Sequence, residues 1–466
     1  TTSRVAVYPA PSLVLWAAWC LGGRVPNPHG SDDDVTDDGL ASLLQVGWMP
    51  SRAAGGLASR LMPLAFRVHG RLDVELLGQA ISEVCRHHES LRTGFVVDEQ
   101  GRLRRHIRPE VTVTVQHDRG EQDVSAWLTS RIVPFDVAVP PLLRAHVLTS
   151  GDPDRSVLLM IFDHLITDGR SNEIIMSQVA QAYRALDSGR TPDLPNESRT
   201  FGQWATAQRS ALSDEVRGSL LAGWAALLGD DPAILGTPLP GYDVSRTVKS
   251  SSAIDFQLDR ECAQQLGEAS TALGVSRFAL ALTLFVRTLG GLQGQDRLPR
   301  MLISTSIANR HSPRDADMVG LLAHNTHILL DHLEVAIGGD LADHARGTHE
   351  SVGRALALSA VPHRMVRDSL WPAAAPHLMT RSLPVVYFAL NRDFSHGLTI
   401  PGAVVEPWDF DWGSSPPGVE MWLTERESGI AGIFRWETER LPRRVADEIV
   451  DGFRAAITTL AAIVKA

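Results

Sequence analysis

The residues best suited to chemistry lie in one short stretch, DHLITDGRS from Asp163 to Ser171, in which His164 stands four residues before Asp168 and Gly169 follows directly. Histidine accepts and returns protons near neutral pH, and a nearby aspartate can hold a loop by pairing with an arginine. The stretch follows VLLMIF, Val157 to Phe162, whose unbroken apolar run suits a strand buried on both faces. Helical periodicity resumes after it, with Ile174, Ile175, Val179, Ala182, Tyr183 and Leu186 spaced three and four apart. A rigid strand ending in a polar turn fixes reactive groups in place and exposes them. A lone HxxxD also occurs around histidines that only serve packing.

The surrounding elements must hold this turn. After Met62 the run LAFRV alternates like a strand, HGRLD turns, and Asp73 caps an amphipathic helix through Leu77, Ala80, Ile81, Val84 and Cys85. Leu142 to Leu148 reads as a second strand, joined by the turn GDPDR to the buried one as a hairpin. The segment DSGRTPDLPNESRT, 187–200, is the internal boundary. Beyond it come an apolar helix, Phe278 to Leu289, a strand, Leu302 to Ile307, ending in ANR, and a last amphipathic helix with Ile449, Val450, Phe453, Ile457 and Leu460 on one stripe. Strands and helices interspersed in both halves imply an α/β (α+β) body of two lobes with the site between them. The expected division is an N-terminal extension, 1–40, an N-terminal lobe with the histidine motif, 41–190, and a C-terminal lobe, 191–466.

Composition narrows the function. The 466 residues hold 44% hydrophobic and 21% charged side chains with a net charge of −10, enough to bury real cores and unlike a disordered or fibrous chain. An acidic chain without a basic block lacks the footprint for nucleic acid, and an anionic membrane surface is disfavoured for the same reason. Cys20, Cys85 and Cys262 form no CxxC or spaced metal pattern, so a reducing cytoplasm is expected, without a disulfide framework or a metal site. The apolar run Leu13 to Cys20 is shorter than the about 20 residues of a membrane span. Without a basic n-region, and with Trp19 where a cleavage site needs a small side chain, it reads as a core strand or a helix turn. Residues 22–39, rich in Gly, Pro and Asp, read as a surface loop. The chain begins with Thr rather than Met, as a segment excised from a longer protein does.

Along most of its length, from about residue 40 to the end, the sequence resembles the condensation domains of nonribosomal peptide synthetases. RHHESLRTGF at Arg86 to Phe95 is similar to that family's second signature, and PFDVAVPPLLRAHVL at Pro134 to Leu148 to the run before its active-site strand. DHLITDG at Asp163 to Gly169 is similar to its HHxxxDG motif. ANR at Ala308 to Arg310, VGLLAHNT at Val319 to Thr326 and LPVVYFALN at Leu383 to Asn391 follow in the family's order. The resemblance implies a V-shaped pair of chloramphenicol-acetyltransferase-like lobes around a tunnel. Two phosphopantetheine arms of carrier proteins enter it, one with an acyl or peptidyl thioester and one with an amine, and no cofactor is bound. It implies that His164 is the general base or orienting partner of the attacking nitrogen, that Asp168 is a structural acid paired with Arg310, and that Gly169 supplies a close backbone turn. Ser171, Arg310, Asn325 and Asn391 are tunnel candidates, although an Asn closing a strand is as often a turn residue. Trp204, Trp224, Glu89 and Arg92 read as packing or structural residues.

The first histidine of the family motif is replaced by Asp163. This aspartate could favour imidazolium at His164, reorient its ring, or only support the loop. With Asp168 and Ser171 it also spells DxxxxDxxS, the signature of heterocyclization domains, which condense and then cyclodehydrate Cys, Ser or Thr. The flanking signatures and the retained His164 speak for plain condensation. The family's opening signature is expected at SLLQVGW, Ser42 to Trp48. Three readings stand: a condensation enzyme forming an amide or ester from carrier-bound thioesters, which is the one adopted; an acyltransferase using a coenzyme A thioester; and a non-catalytic domain that recruits another protein. Neighbouring synthetase domains or separate carrier proteins are the expected partners.

Overall fold

Period-two and period-3.6 patterns sort the chain into two sheets, each carrying helices on one face. The computed structural model describes residues 36–54, 61–195, 197–236, 239–248, 250–292, 300–331, 339–372, 385–392, 397–408, 410 and 418–460. The apolar run at Leu13 and residues 1–35 of the expected extension lie outside them. In chain order the elements are α1 (Leu43–Ala54), β1 (Leu61–Gly70), α2 (Val74–His87), β2 (Thr93–Val97), β3 (Leu103–Ile107), β4 (Gln116–Arg119), α3 (Val124–Arg131), β5 (Leu143–Thr149), β6 (Arg155–Asp163), α4 (Gly169–Asp187), α5 (Phe201–Ala211), α6 (Asp214–Leu228), β7 (Ser251–Asp259), α7 (Arg260–Leu273), α8 (Arg277–Leu292), β8 (Met301–Ile307), β9 (His324–Leu330), α9 (Leu341–Ala357), α10 (His363–Leu370), β10 (Val385–Arg392), β11 (Ala403–Trp408), β12 (Gly418–Arg426), β13 (Gly429–Glu437) and α11 (Arg443–Thr458).

The first sheet has the order β11-β1-β6-β5-β4 and the second β7-β13-β12-β10-β8-β9, with β2 and β3 as a separate hairpin. The β5–β6 hairpin forms around GDPDR with Leu143 opposite Phe162 and Thr149 opposite Ser156. Asp73 caps α2 by accepting the Leu76 N–H at 3.0 Å. Between β10 and β12 of the second sheet the chain crosses to the first, where β11 pairs antiparallel with β1, Trp408 opposite Ala65. The Arg67 guanidinium covers the Trp408 ring at 4.2 Å. The first sheet therefore takes an edge strand from beyond residue 190.

Apolar stripes close two cores. Leu77, Ile81 and Val84 of α2 and Ile175 and Val179 of α4 bury with Leu158, Met160 and Phe162 of β6. The second core centres on Phe256, Phe285, Phe388, Phe434 and Phe453, with residues 279–286 of α8 all buried. Each such side chain contributes about 1.5–3 kcal/mol by leaving water. A third, small cluster joins Leu44 of α1 and Phe201 and Trp204 of α5 to Met318, Leu321 and Leu322. Trp204 and Trp224 are buried, as packing residues are. Among the described residues no single helix is long and apolar enough to cross a membrane.

Candidate active site

The turn after β6 is built from its own side chains. Asp163, the last residue of β6, is fully buried, and its carboxylate accepts the Leu165 N–H at 3.0 Å. This Asx-type bond turns the chain at the strand end. Burial lowers the basicity of the Arg144 guanidinium on β5, and the Asp163 charge works against that shift. His164 comes next, partly exposed, with Nδ1 2.9 Å from the Thr167 carbonyl oxygen. A carbonyl only accepts, so Nδ1 carries a proton, and Nε2 is the nitrogen left to accept one. The indole of Trp48, on α1, stacks on the imidazole with ring centres 4.7 Å apart and planes 30° apart.

Asp168 closes the turn and ties the two sheets together. It caps α4 through the Ser171 N–H at 2.8 Å. Its Oδ2 accepts the N–H groups of Leu322 at 3.0 Å and Ala323 at 2.8 Å, from the segment leading into β9. Arg310, at the end of the ANR stretch, meets both carboxylate oxygens at 3.0 Å. Burial alone would raise the Asp168 carboxyl, but the Arg310 guanidinium and the Ala323 and Ser171 N–H groups outweigh it and hold the pKa below its ordinary value. The Ser171 hydroxyl accepts from Arg310 and the Gly320 N–H at 3.0 Å and lies within bonding distance of Asp168 Oδ1 and the Gly320 carbonyl. Gly320 is confined to glycine here, because a Cβ would sit 2.1 Å from the Phe201 ring.

The structure corrects the role expected of Gly169. It is the exposed first residue of α4, its φ is not positive, and a Cβ would meet nothing within 4 Å. The tight turn is made instead by the Asp163–Leu165 and His164–Thr167 bonds.

Asn325 and Asn391 lie on the second sheet. Asn325 accepts a hydrogen bond from Ser306 Oγ at 2.8 Å, and Ser306 accepts from the Tyr387 hydroxyl at 2.7 Å. Asn391 stands opposite Thr424, four residues beyond Tyr387 and on the same face of β10. That face also carries Trp422, whose ring lies 4.6 Å from Tyr387 and whose N–H bonds Glu420 at 3.1 Å. Burial pushes the Glu420 carboxyl and the Tyr387 hydroxyl up. Among the described residues neither asparagine hydrogen-bonds His164. Sequence reasoning missed Trp48, Ser306 and Glu420. Tyr387 stood inside a quoted motif, where alternation with Asn391 marked the shared face. A groove of about 930 Å³ between α2 and residues 110–119, lined by charges of both signs, holds none of this constellation.

Histidines on and beside the second sheet are also shielded from water. Burial pushes His324 and His327 down to about 4 and His363, edge-on to His327 at 3.6 Å, well below its ordinary value; His146 on β5 also falls to about 4. In the unfolded chain these rings protonate below about pH 6.5. Their contribution to stability is therefore complete above that pH and is lost as pH falls toward 4, by up to about 1.4 kcal/mol per unit per ring. Denaturant melts from pH 7 to pH 5 should show this decline before most carboxylates titrate. A flat curve in that window would show that the rings titrate as exposed ones do.

Two mixed sheets, clamped together beside a histidine turn at a strand end, define the chloramphenicol-acetyltransferase-like class of fold. The condensation-domain family model matches residues 41–364, and the chain belongs to that family, the condensation domains of nonribosomal peptide synthetases. Over 442 residues it is 26% identical to malpinin synthetase of Mortierella alpina, covering 93% of this chain and 6% of that protein. Over 418 residues it is 26% identical to a phosphinothricin tripeptide synthetase of Streptomyces viridochromogenes, covering 86% of this chain and 34% of that one. The chain thus spans a minor part of the length of these relatives. Two solved structures share the fold. The X-domain from teicoplanin biosynthesis has a TM-score of 0.73 at 20% identity, over 92% of this chain and 97% of that one. The first condensation domain of the calcium-dependent antibiotic synthetase, in complex with a substrate analogue, has a TM-score of 0.71 at 19% identity, over 91% and 96%.

Proposed function

We propose that this chain is a working condensation enzyme that joins a carrier-bound acyl or peptidyl thioester to an amine or hydroxyl nucleophile. The observation that carries the reading is the fixed tautomer of His164, with Nδ1–H given to Thr167 and Nε2 left free. Nε2 takes or orients the proton of the attacking nitrogen or oxygen while the new bond to the carbonyl carbon forms. The carbon–sulfur bond then breaks, and the phosphopantetheine thiol leaves with a proton. Carrier proteins or neighbouring synthetase domains deliver both substrates on phosphopantetheine arms through a tunnel between the lobes. Nucleic acid and membrane are not partners, and the absence of a cysteine framework in the sequence supports a cytoplasmic setting. Asp163 and Ser171 are engaged in holding the turn and the clamp, which supports an open amide or ester product rather than an azoline.

The test uses intact-protein mass spectrometry. Carrier domains loaded with a panel of aminoacyl and fatty-acyl groups are mixed with this chain and with aminoacyl carriers or free amines, beside matching coenzyme A thioesters. Transfer from the carrier-bound donor should exceed transfer from coenzyme A, with a product mass equal to the donor acyl group plus the nucleophile less the hydrogen that leaves with the thiol. Equal use of coenzyme A would assign the chain to soluble acyltransferases. A product lighter by one water, about 18 Da, would assign heterocyclization, whose dehydration needs a further acid or base.

A further inference from the structure

We infer that Trp48 is a positioning residue for His164, holding the plane of the imidazole, an inference that rests on His164 being the group that handles the proton. The indole is aimed by a helix that grips the same turn twice. Ser42 and Gln45, both buried, exchange backbone-to-side-chain hydrogen bonds of 2.9 and 3.2 Å at the start of α1. The Gln45 side chain then donates to the Leu165 carbonyl, next to His164, at 2.9 Å. Three residues on, a spacing that puts side chains on one helix face, Trp48 covers the imidazole. On the opposite side, Arg364 of α10 reaches the Gly47 carbonyl at 3.3 Å, so α1 is held between the turn and the second sheet's helices.

This contact complements the one at Nδ1. The Thr167 carbonyl fixes which nitrogen carries the proton, and the indole face fixes the plane in which Nε2 points. An apolar side chain without a π face would fill the space and keep water out, yet would not hold the ring in that plane. That difference separates positioning from packing.

The test starts without substrate, on the full chain labelled with carbon-13 at histidine Cε1, with the His164 resonance assigned from its loss in His164→Ala. In the wild type this resonance should show the upfield proton shift of a ring stacked on indole. The shift should disappear in Trp48→Leu and persist in part in Trp48→Phe. In the carrier assay Trp48→Leu should lower kcat by about 3- to 30-fold with KM little changed, and Trp48→Phe should restore most of it. An unshifted wild-type resonance overturns the proposal even if Trp48→Leu fails to fold. So do equal rates in the Leu and Phe variants. Full activity in His164→Ala would instead overturn the reading of His164 while leaving the ring stack in the spectra.

Discussion

His164→Ala should keep the fold and lower the condensation rate by about 10²- to 10⁴-fold, the range supplied by one positioned acid–base group. The side chain is part of neither core. Its structural bonds are one hydrogen bond to a carbonyl within its own turn and one ring contact. The turn keeps the Asp163–Leu165 bond and the whole Asp168 clamp when the imidazole is removed. Stability should therefore change little while proton handling is lost. Circular dichroism and denaturant melts check the first half, and product mass against time with loaded carriers checks the second. Wild-type turnover in His164→Ala would leave the fold without a catalytic role at this turn and would promote recruitment of another protein as its function.

Much of this arrangement was legible in the sequence because its parts are local or ordered. A strand buried on both faces announces itself in VLLMIF, and the polar turn and helix after it follow from a change of period. Arg310 was reached from motif order, with the ANR stretch closing a strand as the family's does, and the ion pair lies there. What stayed hidden depends on which elements become neighbours. The strand AVVEPW fits any sheet edge, and nothing local states that Ala403–Trp408 joins β1 rather than the strands on either side of it in sequence. SLLQVGW was located as a signature, but the placing of the Trp48 indole on His164 comes from the docking of α1. Gly169 shows the opposite error: a glycine in a motif suggested a backbone need, and its ordinary φ and open surroundings show none.

Asp168→Ala should behave unlike the histidine variant, losing stability together with activity. The carboxylate is fully buried and receives two bonds from Arg310 and three from backbone N–H groups, so its removal leaves the charge of a nearly buried guanidinium unpaired and strands the Ala323 amide. Breaking one side of such a pair costs about 3–5 kcal/mol, because the remaining charge keeps its desolvation penalty without its partner. The same account requires that Arg310→Met in the Asp168→Ala background recover part of the loss, since the stranded charge then disappears. Hydrogen exchange should quicken at Ala323 in Asp168→Ala, because its amide bonds to this carboxylate, and less at Leu322, whose amide also reaches the Gly320 carbonyl at 3.2 Å. Activity should fall as a consequence: the clamp that joins α4 to the segment before β9 also sets where the histidine turn sits against the second sheet. If Asp168→Ala melts like the wild type and still loses activity, the carboxylate acts in the chemistry itself, and the clamp is not what it contributes.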